Sequence, residues 1–169
     1  MQGWDEKRRD SWARLWFGAT AAFAFFGLVL SGIMAYRIRD GFFSEGWKSA
    51  LNTLVYFTNL SNLIVAVTCL LLAINLDRES LFFRASRLCG LVGITITGIV
   101  YHWLLSETHN PEGWNSVWNI VLHYIVPIVA VIGYLLFGPP RPVHNAIGSL
   151  HPDLPCRLGS LHAHPRFDC

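Results

Sequence analysis

Two short stretches carry the side chains best suited to chemistry. In VYFTNLSNLIV, Val55 to Val65, the polar residues Thr58, Asn59, Ser61 and Asn62 occupy four of five positions among aliphatic and aromatic neighbours. In WNSVWNIVLHYIVP, Asn115, Asn119 and His123 recur every four residues, and Pro127 follows the histidine by four. An imidazole changes charge near neutral pH, so a histidine inside an apolar segment is a candidate for proton transfer. Hydroxyls and amides beside it can exchange or donate hydrogen bonds. The same groups also serve as glue between helices in lipid, typically worth about 0.6 to 2 kcal/mol each. A polar group in lipid without a partner costs several kcal/mol, so either role requires these faces to look into a bundle.

The composition fits a bilayer. Hydrophobic residues make up 53 % of the 169 and charged residues only 14 %, against roughly 25 % charged in soluble domains. A formal charge of +2, with no basic block interleaved with aromatics, excludes nucleic acid as a partner. Cys69 and Cys89 lie in apolar runs and Cys156 and Cys169 in a polar tail, which is no disulfide framework. The first two are expected to be inert buried thiols.

Uncharged runs define four spans at about 15–36, 49–76, 88–106 and 114–137, each long enough for the about 20 residues that cross a hydrocarbon core. The expected fold is all-α, a polytopic transmembrane helix bundle. Residues 1–14 form a cytoplasmic N-terminus, 15–138 the membrane domain and 139–169 a polar tail. The first run is too long for a signal peptide and is soon followed by another span. Eight basic residues (Lys7, Arg8, Arg9, Arg14, Arg78, Arg84, Arg87, Arg141) fall on the N-terminal side, against three (Arg37, Arg39, Lys48) opposite. The positive-inside rule then puts both termini in the cytoplasm of a multi-pass cell-membrane protein. Trp12, Trp16, Trp47, Trp103, Trp114 and Trp118 lie near span ends, where indoles favour the headgroup zone.

At about 100° per residue, Thr58, Ser61 and Asn62 share an arc of roughly 100°, with Asn59 just beyond it. Pro127 lacks the N–H that would bond the His123 carbonyl, so the backbone opens at the histidine. Counted from Ser49 and Gly113, Thr58 and His123 both lie roughly 14 Å below the outer helix ends. His102, in IVYHWLLSE, lies about 8 Å shallower. Gly90, Gly93 and Gly98 in the third span, and Gly18 with Ala22 in the first, permit close helix approach.

YFTNLSNLIVA, GIVYHWLL and NIVLHYIVPI…LLFGPPR, in that order across about Arg14 to Arg141, resemble actinobacterial six-helix membrane proteins of the Pr-six-Pr type. More distantly the chain resembles the eukaryotic androgen-induced-gene and FAR-seventeen-a family. In that family a threonine of the second span and a histidine of the fourth cleave branched esters of fatty acids and hydroxy fatty acids. The resemblance implies Thr58 as nucleophile and His123 as general base, with membrane lipids and a lipid ester as partners and no cofactor or metal. Asn59, Asn62 or Asn119 would donate to the oxyanion or orient the site, and Ser61 and His102 are accessory candidates. No acid lies in any span, so Asn119 or a backbone carbonyl must orient the imidazole. The family's fifth and sixth helices should follow GPPR, yet residues 142–169 do not look like a membrane segment; a truncated or frame-shifted product would look like this.

Two other readings stay open. The polar faces can be a structural core in a non-catalytic membrane protein, or His102 and His123 can be axial ligands to a haem. The tail holds six of eight prolines and four of seven histidines, a composition expected to stay disordered. His144, His151, His162 and His164 match no zinc template. His109, beside Asn110 and Pro111, reads as a solvated turn residue. No P-loop, GxSxG, HExxH or dinucleotide fingerprint occurs.

Overall fold

The computed structural model of the chain describes residues 2–38, 45–78, 80–106 and 111–138. All its regular structure is helical. The elements are α1 (Gln2–Ile38), α2 (Gly46–Asn52), a 3-10 turn (Thr53–Val55), α3 (Phe57–Ile74) and α4 (Leu81–Val100). A π-helical turn (Tyr101–Leu105) prolongs α4, and the last arm is α5 (Trp114–Ile120), a second π turn (Val121–Ile125) and α6 (Val126–Phe137). Four helical stretches are long and apolar enough to cross a membrane: Lys7–Arg37, Phe57–Ile74, Leu81–Leu105 and Trp114–Phe137. The described residues thus form an all-α membrane protein with four spans. The tail from residue 139, with its histidines, two cysteines and Arg141, lies outside the described residues, as do Arg39 and His109.

The first helix is the spine of the bundle. Ala13, Phe17, Thr20, Ala21, Ala24 and Ser31 recur at helical spacing and are all buried. Apart from Phe17 these side chains are small and let neighbouring backbones come close, which in lipid takes the place of a hydrophobic driving force. At Gly27 a Cβ would lie 2.6 Å from Leu122, so only glycine admits the second π turn against α1. Val65, Ala66, Cys69 and Leu72 of α3 and Ile94 of α4 complete the core. Cys89, in contrast to its expected burial, is exposed on the outside of α4.

Two of the expected span boundaries change. The run from Ser49 is not one helix: Asn52 closes α2, Tyr56 is extended at φ −67° and ψ 134°, and the span proper starts at Phe57. Thr53, Val55, Tyr56 and Phe57 are β-branched or aromatic, types that lose rotamer freedom in a helix. Thr53 also donates from Oγ1 to the Ala50 carbonyl at 2.7 Å, a local bond that competes with the helix ladder. At the third span the helix begins at Leu81 rather than Leu88, because Ser80 caps it by accepting from the Phe83 N–H. Arg84 and Arg87 therefore lie inside α4 and do not end it.

Pro127 shapes the last span. Its missing N–H and its ring disturb the turn before it, and the chain answers with the wider π turn at Val121–Ile125. Gly98 of α4 packs on that disturbance, where a Cβ would stand 3.2 Å from the His123 carbonyl oxygen and from Pro127.

Candidate functional site

The break at Tyr56 puts Thr58 in the first turn of α3, not nine residues down a continuous helix. His123 lies in the second π turn, nine residues past Trp114, or about 14 Å at the α-helical rise. The equal-depth count from Ser49 and Gly113 is therefore superseded, yet the two residues meet. Thr58 Oγ1 and His123 Nε2 are 3.5 Å apart, at the long end of hydrogen-bonding range. His123 is 8 % exposed.

The other ring nitrogen is held by backbone. His123 Nδ1 lies 3.0 Å from the carbonyl oxygen of Asn119. A carbonyl only accepts, so Nδ1 carries the proton, and when the ring is neutral its Nε2 lone pair is presented to Thr58. Tyr101, from the first π turn, lays its ring against the imidazole with centroids 4.0 Å apart. Its hydroxyl accepts from Nδ2 of Asn119. Ring, amide and carbonyl together fix the imidazole plane. Sequence reasoning did not single out Tyr101; the signal was the mirrored pair Tyr101-His102 and His123-Tyr124 in the third and fourth spans.

The asparagines expected near the oxyanion are placed otherwise. Asn59 turns away, donating from Nδ2 to the Thr53 carbonyl at 2.8 Å and to Ser31 Oγ at 3.4 Å. It ties down the break before α3. Asn62, fully buried, donates to the carbonyls of Thr58 at 2.8 Å and Leu122 at 3.2 Å. Its amide bridges the two backbones that carry the hydroxyl and the imidazole. With Asn119 serving Tyr101, the Nδ2 group of each of the three asparagines has a partner other than the Thr58 hydroxyl, while Oδ1 of Asn62 is buried without one. Ser61 bonds the Phe57 carbonyl at 2.8 Å and sits against Gly93 of α4, away from the pair.

Another set of donors lies in the same helical turn as Thr58. The first turn of a helix leaves backbone N–H groups without intrahelical partners and carries the positive end of its dipole. Tyr56, at the cap of α3, supplies no side-chain bond to them. The amides around Phe57 to Asn59 are thus suited to a developing oxyanion, which sequence reading missed because it ran the helix through Tyr56.

A cavity of about 480 Å³ opens between α4 with its π turn and the last span, lined by Gly98, His102, Trp103, His123, Tyr124 and Pro127 among others. His123 borders it and Thr58 does not. His102 is exposed at this groove, with Nδ1 3.4 Å from the Tyr124 hydroxyl. Both histidines therefore line one apolar groove, but the nitrogens of His123 already face Asn119 and Thr58, so axial ligation of a haem would break one of those contacts. Among the described residues no three His, Cys, Asp or Glu side chains gather into a metal-binding group.

No family model, no curated protein and no solved structure matches this chain.

Proposed function

We propose that this protein is an intramembrane hydrolase of lipid esters, of the class joining fatty acids to hydroxy fatty acids, with Thr58 as nucleophile and His123 as base. The observation that carries the reading is the pairing of Thr58 Oγ1 with His123 Nε2 at 3.5 Å while Nδ1–H is held by the Asn119 carbonyl. The resemblance of YFTNLSNLIVA and NIVLHYIVPI to the Thr/His family supports the same assignment.

In this scheme the Thr58 oxygen attacks the ester carbonyl carbon while its proton passes to Nε2. The carbonyl oxygen takes the negative charge under the first-turn amides of α3, where one donor can supply about 3 to 4 kcal/mol. Collapse breaks the ester C–O bond, and Nε2–H returns the proton to the departing alkoxide. Water, deprotonated by the same nitrogen, then cleaves the acyl-threonine. The apolar groove beside His123 lets a lipid arrive sideways from the bilayer. The excess of basic residues on the N-terminal side supports a cytoplasmic position for both termini of a cell-membrane protein.

A second reading has its own support. Asn59, Asn62 and Asn119 each commit an amide to a structural partner, as expected of a non-catalytic membrane protein whose polar core only locks helices. An ester-hydrolysis assay on membranes carrying the chain separates the two. Turnover lost in both Thr58→Ala and His123→Ala, with the fold intact, supports the enzyme. Absence of turnover in a folded wild type rejects it.

A further inference from the structure

At the other end of the bundle lies a cation that this chemistry does not use. Arg87 is 8 % exposed, and its guanidinium carbon sits 5.3 Å from the ring centre of Phe17 on α1 and 5.1 Å from that of Tyr134 on α6. It is eleven residues from Gly98, which packs on the His123 carbonyl, so about 16 Å separates the two levels. Among the described residues no carboxylate pairs with it, the one ion pair there being Lys48 with Glu45.

The rings satisfy only part of what a guanidinium requires. Cation–π contact engages the faces of the rings, whereas the five N–H donors point outward in the guanidinium plane and need acceptors. A charge this buried, within a span, calls for a counter-charge. The surroundings add more cations: Arg84 lies one turn nearer the start of α4, and Arg14 Nη1 donates to the Ile74 carbonyl at the end of α3. Arg78, just past that end, has its Nε buried without a hydrogen-bond partner. Asp77 is exposed and joins none of these arginines in an ion pair.

Depth identifies the anion. Arg87 is six residues from Leu81, about 9 Å along the axis, and helical side chains lean toward the helix start. Its donors therefore approach the headgroup layer, where the acceptors are phosphodiester oxygens. We propose that Arg87, held between Phe17 and Tyr134, anchors a binding site for the phosphate of an acidic phospholipid. A planar fork suits two oxygens of one phosphate, and the surrounding arginines disfavour a headgroup with its own cation. This site stands independently of the Thr58 and His123 reading.

The test is native mass spectrometry of the full chain in detergent with equimolar phosphatidylglycerol and phosphatidylcholine. The wild type should retain phosphatidylglycerol by about tenfold over phosphatidylcholine, and Arg87→Gln should bring the ratio near one. Arg87→Lys keeps the charge without the fork and should lower the preference about threefold; it decides the matter where Arg87→Gln does not fold. Arg84→Gln should leave most of the preference. An unchanged ratio in folded Arg87→Lys and Arg87→Gln would overturn the site. Loss of the bound lipid to inorganic phosphate would overturn its assignment to a lipid and make it a soluble-anion site.

Discussion

Asn119 holds His123 by its backbone, the carbonyl oxygen lying 3.0 Å from Nδ1 one helical turn further along the chain. In a serine triad a carboxylate fills this place, fixing the tautomer and also stabilising the imidazolium that forms. A neutral carbonyl performs the first task and contributes little to the second. The proposed hydrolysis is therefore expected to be slow, its base well oriented but weakly supported by charge.

Tyr101 completes that orientation, so its two contacts should separate by mutation. Tyr101→Phe keeps the ring over His123 and strands the Asn119 amide, which is expected to lower stability by about 1–3 kcal/mol. Tyr101→Ala loses the ring as well and should reduce hydrolysis further than Tyr101→Phe does. Thermal unfolding in detergent, read beside ester turnover, distinguishes the two losses.

Asn62 joins the backbones of Thr58 and Leu122 through one amide. Replacement by leucine removes both bonds while conserving bulk. We expect about 1–2 kcal/mol of destabilisation and a fall in turnover, because this amide holds the hydroxyl-bearing turn against the imidazole-bearing one, beside the longer Thr58–His123 contact at 3.5 Å. Unfolding in mixed micelles against rising SDS measures the first, and initial rates measure the second.

Gly98 should not tolerate a branched side chain. A Cβ there meets the His123 carbonyl and Pro127 at 3.2 Å, so valine forces the second π turn away from α4. Overpacking of this kind costs about 1–3 kcal/mol. Gly98→Val is expected to lose turnover out of proportion to that loss, whereas Gly32→Ala, where a Cβ meets nothing within 4 Å, should leave turnover unchanged.

The mechanism also requires an unprotonated Nε2. Turnover should fall on the acid side along a single ionisation, and that limb should vanish in the residual rate of His123→Gln. A pH–rate profile in reconstituted membranes reads it directly.

Much of this arrangement is legible in the residues themselves. Four apolar runs without charge specify four spans, and the helical spacing of Thr58, Asn62, Asn119 and His123 turns them toward the interior. Three features are not legible, each for a physical reason. The break at Tyr56 has no proline or glycine to announce it; it rests on two local side-chain bonds, Thr53 to the Ala50 carbonyl and Asn59 to the Thr53 carbonyl, which polar residues in an apolar run do not by themselves announce. Arg87 looks like the edge of a span because a charge ordinarily marks water, but two rings from distant helices shelter it. The orienter of His123 is legible only as an open choice between Asn119 and a backbone carbonyl, because a sequence names side chains; it is the carbonyl of Asn119 itself.

The most direct test of the Thr58 and His123 pairing is to map where a fluorophosphonate probe attaches to the full chain in membranes, by peptide mass spectrometry. The account predicts one dominant adduct on Thr58, reduced about 10²-fold or more in His123→Ala. An adduct on another residue, or equal labelling of Thr58 with the imidazole removed, would contradict it.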